Sequence, residues 1–158
     1  RERSDSREGS ALRSIAHSMA SRDALVDTTG LCALINRNDP AHGAARAAVG
    51  KLLRDGRRLV VTDYVIDESA TFAKAHGGAQ LAGRVLELIE QSHGFRIEWI
   101  GPERFEATKA FFRRHADHGY SFTDCSSFVV MRELRLTHAL TSDRHFTEAG
   151  LEVLLPVS

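Results

Sequence analysis

The chain has 158 residues, enough for one domain with a substantial core, and its 42% hydrophobic and 27% charged residues are ordinary for a globular protein. Its formal net charge is zero, which excludes a protein that binds nucleic acid through bulk positive charge. No apolar run approaches the ~20 residues that span a bilayer, and we find no secretory pattern. The cysteines, Cys32 and Cys125, lie far apart in apolar surroundings, so we expect buried, reduced thiols in a cytoplasmic protein.

Residues 1–22 differ from the rest of the chain. The stretch RERSDSREGS is polar and mixes serine, arginine and glutamate, a composition typical of disorder. We expect residues 1–22 to be a disordered N-terminal extension. It is either an over-extended start, with Met19 as the natural first residue, or an arm that pairs with a partner. The folded domain is predicted to span residues 23–158.

From residue 23 onward, short apolar runs alternate with amphipathic stretches. The first half predicts a strand (ALVDT), a helix (GLCALINR), a helix from Asp39 to Gly56, a strand (RRLVVT) and two helices (DYVIDESATFAKAHG and AQLAGRVLELIEQS). The second half predicts a strand (FRIEWI), a helix from Pro102 to near Gly119, a helix (SFTDCSSFVVMRELRL), a strand (HALTSD), a short helix (RHFTEAG) and a strand (LEVLL). Such alternation is typical of an α/β protein with a central parallel sheet flanked by helices.

Acidic side chains recur where the predicted strands end. Asp27 follows the first strand and Asp143 the fourth, the helix after the second strand carries Asp67 and Glu68, and SFTDC carries Asp124. Ligands of parallel α/β sheets bind at the carboxyl ends of the strands. Two carboxylates ~4 Å apart repel by about 4 kcal/mol at an effective dielectric near 20, so the cluster predicts a hard cation such as Mg²⁺ or Mn²⁺. Such ions support phosphodiester hydrolysis, which predicts a nuclease or phosphodiesterase.

Each acid also has a purely structural explanation. Asp124 stands at a helix start, where a negative charge complements the helix dipole, and Asp143 is suited to be the N-cap of the next helix. Asp27 is harder to explain in this way, because its apolar neighbours predict a buried site. Spacing alone does not distinguish Glu68 from Asp67 as the acid of the third helix.

Four stretches resemble the PIN domain, and specifically the VapC-like ribonuclease toxins of prokaryotic toxin–antitoxin systems. They are LVDTTGLCALINRNDPAH, LVVTDYVIDESATF, YSFTDCSSFVVMRELRLTHALTSDRHF and AGLEVLL, and they occur in the family's order over nearly all of residues 23–156. The resemblance implies a PIN-like fold and Mg²⁺- or Mn²⁺-dependent endoribonuclease activity. It also implies a homodimer and a cognate antitoxin protein laid across the site.

The resemblance assigns the site residue by residue. The family's acids fall on Asp27, Glu68, Asp124 and Asp143, which favours Glu68 over Asp67. By this resemblance the first three bind the principal metal, and Asp143 completes a second metal position or orients a water. The candidate helpers are Thr141, Thr28, Ser142, Arg144 and His145.

Two other interpretations remain open at this point. The run Asp27-Thr28-Thr29-Gly30 weakly resembles the nucleophile loop of haloacid dehalogenase-like phosphatases, although Thr29 stands where those enzymes carry a second acid. The other alternative is a non-catalytic PIN-fold RNA-binding module, which would be expected to lose one or more of the four acids. DNA also stays open as a substrate, because the metal chemistry requires no 2′-hydroxyl.

Overall fold

The computed structural model describes residues 20–158. The extension predicted for residues 1–22 therefore lies outside the described residues, except for its last three positions. Two of these, Ser21 and Arg22, belong to the first strand, so the sheet begins just before the predicted start of the folded domain. Within residues 20–158, no helix combines the length and the hydropathy needed to cross a membrane.

The described part of the chain forms one five-stranded sheet with helices between the strands. In chain order the elements are β1 (Ser21–Val26), α1 (Thr28–Ile35), α2 (His42–Arg54), β2 (Leu59–Thr62), α3 (Asp63–Gln91), β3 (Phe95–Glu98), α4 (Gly101–Arg114), α5 (Phe122–Leu134), β4 (Leu136–Leu140), α6 (Arg144–Glu148) and β5 (Glu152–Val153). The strand order is β3-β2-β1-β4-β5 and every pair is parallel. The predicted α/β architecture is confirmed.

Both faces of the sheet are buried, as the near-continuous apolar strands require. Val26 and Val61 contribute to one core cluster, which α1, α2 and α3 cover. Leu25 and Val60 contribute to a second cluster, which α5 and α6 cover from the other side. The two central strands, β1 and β4, are thereby enclosed, and their carboxyl ends form the part of the sheet edge where the acids were predicted to meet.

The predicted boundary between α5 and β4 is wrong. The pattern extended the helix of SFTDCSSFVVMRELRL to Leu136 and began the next strand at His138, but α5 ends at Leu134 and Leu136 already belongs to β4. The cause is Arg135, whose φ of 56° is left-handed and stops the helix. Hydrophobic spacing does not reveal such a turn at a residue other than glycine.

The predicted break between the two helices of residues 63–92 takes the form of a kink. The structure continues α3 through the break, but Gly78 has a φ of 74° and interrupts the helical geometry there. The start of α2 is also later than predicted. Asp39 accepts a hydrogen bond of 2.8 Å from the Ala41 amide, so a turn precedes the first helical residue, His42.

Close approach of α1 to β4 depends on Gly30. A Cβ built at this position would lie 2.0 Å from the Leu140 carbonyl oxygen. The same oxygen accepts a hydrogen bond of 3.2 Å from the Asp27 amide. The absence of a side chain at Gly30 therefore lets the start of α1 lie against the end of β4.

We expect Gly30→Ala to destabilise the fold by about 3 kcal/mol, the upper end of the cost of overpacking. The matched control is Gly83→Ala in α3, where a Cβ meets nothing within 4 Å. The free energy of unfolding of this control should rise by up to about 1 kcal/mol, because alanine has a higher helix propensity than glycine. Urea unfolding followed by circular dichroism measures both changes, and equal stability of the two variants would contradict the close contact.

Candidate active site

Asp27 lies between the last residue of β1 and the first residue of α1, and only 3% of it is exposed. It has the position of a helix N-cap, yet its side chain makes no capping hydrogen bond. Its Oδ2 atom instead accepts a hydrogen bond of 3.0 Å from the hydroxyl of Thr141, just beyond β4. The carboxylate of Asp27 is therefore held toward the neighbouring strand end and is not used to start α1.

Asp124 and Asp143 do cap helices, so their structural explanations are correct. The Oδ2 atom of Asp124 accepts from the Ser121 amide at 2.8 Å and completes a capping box at the start of α5. The Oδ1 atom of Asp143 accepts from the His145 amide at 2.9 Å at the start of α6. Each cap occupies one carboxylate oxygen, and within residues 20–158 the other oxygen accepts no hydrogen bond. Capping and ligand binding are thus compatible.

The imidazole of His145 lies beside both of these carboxylates. Its Nδ1 atom is 3.4 Å from Asp124 Oδ2 and 3.4 Å from Asp143 Oδ1. Nδ1 is buried, yet neither contact has the geometry of a hydrogen bond. One ligand atom from each of the three residues lies within 4.8 Å of the others. This spacing suits a shared cation.

Glu68 reaches the site from α3. Its Oε2 atom accepts a hydrogen bond of 2.9 Å from the hydroxyl of Thr28, the residue next to Asp27. Asp67 is also exposed, and within the described part of the chain its side chain makes no hydrogen bond. The geometry thus favours Glu68 over its neighbour, and its role as a metal ligand stays a prediction.

A chain of hydroxyl groups joins the ends of β1 and β4. Because Thr141 donates its proton to Asp27, its oxygen must act as acceptor toward the Asp143 amide and toward the Thr29 hydroxyl, each at 3.0 Å. Thr29 in turn accepts from the Ser142 amide at 3.0 Å. The sequence analysis did not predict the place of Thr29 in this chain, since its only signal in the sequence is a hydroxyl in the first turn after Asp27.

Arg144 is the predicted helper that the structure does not bring to the carboxylates. Its guanidinium is 3.7 Å from Glu148 within α6, and its side chain is 72% exposed. A contact between Arg144 and a substrate phosphate stays a prediction.

Burial and mutual repulsion make the charged acids unfavourable. Burial raises the pKa of Asp27 to about 7, and the charges of Asp124 and Asp143 act in the same direction, against the hydrogen bond from Thr141. The pKa of Asp124 is also raised, by burial and then by Asp143. A bound divalent cation would offset both effects, and carboxylates with one imidazole form a donor set that such ions accept.

A family model of the PIN domain matches residues 24–151. The chain belongs to the PIN-domain family. It is 30% identical over 132 residues to the 23S rRNA-specific endonuclease VapC20 of two Mycobacterium tuberculosis strains, over 83% of this chain and 97% of the relative.

Two solved structures share this PIN fold. The crystal structure of Mycobacterium tuberculosis VapC20, described as a sarcin–ricin loop cleaving toxin, is similar with a TM-score of 0.74 and 27% identity, over 85% of this chain and all of that one. FitAcB from Neisseria gonorrhoeae shares the fold with a TM-score of 0.58 and 15% identity. The alignment covers 82% of the present chain and 95% of the FitAcB chain.

These similarities confirm the predicted PIN-like fold and the predicted VapC-like type. The chain is a VapC-like PIN-domain endonuclease. The haloacid dehalogenase-like alternative finds no support, because the stretch around Asp27 lies inside the matched PIN domain.

We expect Asp27→Asn to raise the thermal stability of the PIN domain in metal-free buffer at neutral pH. The pKa of Asp27 is about 7 in the folded chain and 3.8 ordinarily, so the folded state holds a proton that the unfolded chain releases. The stability from this proton is fully present below the unfolded value and is lost as pH rises through about 7. Asparagine does not titrate and so avoids this loss. The loss in the free energy of unfolding is about 4 kcal/mol at most, because one pKa unit corresponds to ~1.4 kcal/mol.

Melting temperatures of both proteins in EDTA, between about pH 5 and pH 8, measure this effect. The advantage of the variant should grow up to neutral pH and then level off. Asp67→Asn is the matched control, because Asp67 is exposed. An advantage of Asp27→Asn that does not change with pH would contradict the raised pKa.

Proposed function

We propose that this PIN domain cleaves RNA in a metal-dependent reaction, as the toxin of a VapBC-type toxin–antitoxin pair. The supporting observation is the cluster of buried, mutually repelling carboxylates at the ends of β1 and β4, with Glu68 linked to it through Thr28. All four family acids are present, which argues against a PIN domain reduced to RNA binding.

The proposed ligands of Mg²⁺ or Mn²⁺ are Asp27, Glu68, Asp124 and Asp143. When bound, such an ion activates water and stabilises charge on the leaving oxygen of a phosphodiester. The fit is supported by the free second oxygens of Asp124 and Asp143 and by the raised pKa of Asp27. Within residues 20–158 the buried Nδ1 atom of His145 has no hydrogen bond, and it offers a further ligand atom next to these oxygens.

The chain's own residues would hold this site in place before substrate arrives. Thr141 orients the Asp27 carboxylate through its hydroxyl. The helix caps of α5 and α6 fix the side chains of Asp124 and Asp143. Because these groups are already in place, little free energy is needed to rearrange them when the reaction occurs. A substrate phosphate would therefore meet carboxylates that are already positioned.

We propose a ribosomal RNA substrate of the sarcin–ricin loop class. The similarity to VapC20, which is named as 23S rRNA-specific and as a sarcin–ricin loop cleaving toxin, covers nearly the whole of that relative. The zero net charge of the chain supports a substrate selected by local contacts and not by bulk attraction.

We expect Asp124→Asn and Glu68→Gln to lower cleavage of a sarcin–ricin loop hairpin by more than about 100-fold, because changes to second-shell groups alone cost 10- to 100-fold. The matched control for Glu68→Gln is Asp67→Asn, which changes the neighbouring acid and should keep activity near that of the wild type. Cleavage products are separated on a denaturing gel with Mg²⁺, with Mn²⁺ and with EDTA.

Three outcomes would contradict this prediction. Cleavage that persists in EDTA would exclude the metal dependence. Equal losses in Asp67→Asn and Glu68→Gln would remove the assignment of Glu68. Cleavage of a matched DNA hairpin as fast as the RNA would replace the ribonuclease by a nuclease without sugar preference.

We propose that a cognate antitoxin covers the acid site with a basic side chain. The carboxylates offer a guanidinium the charge-assisted, bidentate contacts that favour arginine. Such an inhibitor would also relieve the repulsion that raises the pKa of Asp27 and Asp124.

We further propose that the chain forms a homodimer through an aromatic patch made of Phe105, Phe112, Phe122 and Tyr64. Phe105 is 38% and Phe112 is 42% exposed, and both rings contact Phe122, at centroid distances of 5.8 and 5.6 Å. Exposed apolar patches of this kind mark interfaces. The patch belongs to α4, the start of α5 and the start of α3.

We expect Phe112→Ser to shift the chain from dimer toward monomer, because the substitution removes exposed apolar area from the aromatic patch. Light scattering after size exclusion, over a dilution series, measures the molecular mass. Leu53→Ser is the control: Leu53 is 40% exposed but lies on α2, which covers the opposite face of the sheet. A wild type that is monomeric at all concentrations, or equal effects of both variants, would contradict the proposal.

A further inference from the structure

A cavity of about 200 Å³ lies beside the carboxylate site. Its wall includes Thr28, Thr29, Ser142, Cys32, Asp39 and Phe72. Three of these residues already belong to the surroundings of the acids: Thr28 donates to Glu68, and Thr29 and Ser142 are linked in the hydroxyl chain. The cavity therefore borders the site where the phosphate is proposed to bind, and we call it the side cavity.

Phe72 forms the aromatic wall of the side cavity. It follows Glu68 by four residues on α3, so the two side chains lie on the same helix face. Its ring is 48% exposed, and the imidazole of His76 stacks on it with a centroid distance of 4.0 Å and an interplanar angle of 24°. His76 Nδ1 lies 2.9 Å from the Phe72 carbonyl oxygen, which holds the ring pair together.

The rest of the wall combines the apolar side chains of Ala41 and Cys32 with hydroxyl groups and the carboxylate of Asp39. Asp39 uses Oδ1 to accept from the Ala41 amide. Burial and then the charges of Asp39, Asp27 and Glu68 raise the pKa of Cys32 to about 11. Asp39 lines the same cavity as Thr28 and Thr29, the two residues that follow Asp27. Hydroxyl and carboxylate groups of this kind hydrogen-bond the edges of nucleobases.

An aromatic ring beside hydroxyl and carboxylate groups favours one class of ligand for the side cavity. Proteins that bind single-stranded RNA stack unpaired bases on exposed aromatic rings and read the base edges with polar groups. The volume is below the roughly 300–1,000 Å³ of pockets for drug-sized molecules, so it suits one flat ring system. A negatively charged ligand is disfavoured by Asp39, whereas a neutral base is not.

We infer that the side cavity receives the base of a nucleotide next to the scissile phosphate, with that base stacked against Phe72. The inference rests on the proposed RNA-cleaving function and adds to it a residue that determines specificity. Phe72 binds the base, and Asp39 with the hydroxyl groups of Thr28 and Thr29 contacts its edge. The enzyme therefore prefers certain bases at one position beside the cleaved bond.

The test compares Phe72→Ala, Phe72→Leu and Phe72→Trp with the wild type on a random-sequence single-stranded RNA pool in Mg²⁺, with the new ends sequenced. Kinetic constants are measured on one oligonucleotide that the pool identifies. The matched control is Leu86→Ala, because Leu86 lies on the same helix, is 47% exposed and does not line the cavity.

We expect Phe72→Ala and Phe72→Leu to lower kcat/KM by about 5- to 100-fold, the range of losing one stacked base, mainly through KM. Both should also lose the base preference at one flanking position. Phe72→Trp retains the ring face and should keep activity and preference. Leu86→Ala should behave as the wild type, and the exposed position of Phe72 predicts an unchanged melting temperature for all variants.

Several results would overturn the inference. Wild-type kinetics and preference in Phe72→Ala would exclude base stacking, and full activity in Phe72→Leu would reduce the contact to apolar packing. Unchanged cleavage with weaker binding of the antitoxin would assign the side cavity to the antitoxin instead.

The inference and the proposed function fail in different ways. If the wild type cleaves and Asp124→Asn does not, the nuclease proposal stands whatever Phe72 does. If no chain cleaves the pool, cleavage of the sarcin–ricin loop hairpin by the wild type decides the proposed function, and fluorescence anisotropy with the labelled pool still compares binding by the wild type and Phe72→Ala. Equal affinity in that measurement overturns the inference.

Discussion

The hydrogen bond from the Thr141 hydroxyl to the carboxylate of Asp27 joins the ends of the two central strands. A carboxylate that is 3% exposed is costly unless it is hydrogen-bonded or paired. At the carboxyl edge of this parallel sheet, the strand ends and the turns that follow them supply hydrogen-bond donors to such a carboxylate. Gly30 lets α1 come close enough to β4 for this arrangement. The other residues of the site lie around this hydrogen bond.

The side chains of the four acids are held in place by different contacts. Asp124 and Asp143 are fixed by helix caps, although burial raises the pKa of Asp124. Asp27 makes no capping hydrogen bond; the Thr141 hydroxyl holds its carboxylate, and burial raises its pKa. Glu68 is exposed, and within residues 20–158 the hydrogen bond from Thr28 is the one that holds its side chain. The proposed cation would relieve the repulsion among the acids.

The kinked helix α3 combines two kinds of chemistry on one face. Its first half presents Glu68 to the acids and, one turn later, the ring pair of Phe72 and His76 to the side cavity. The aromatic patch of α4 and α5 lies in the layer that covers the opposite face of the sheet from α1 and α2. The proposed reaction and base recognition would therefore use one side of this small domain, and the proposed self-association would use another.

The sequence by itself determined the order of strands and helices, the parallel sheet and the positions of the acids, because hydrophobic period and strand ends are local properties. It left a structural explanation open for Asp124 and Asp143, and without the family resemblance it left Glu68 and Asp67 equivalent. Those choices depend on contacts across the fold, such as Thr28 with Glu68 and Thr29 with Thr141, which are 40 and 112 residues apart. The left-handed Arg135 that ends α5 was also invisible. Only the tertiary structure shows these contacts and this turn, because strand register and helix packing bring together residues that no local pattern relates.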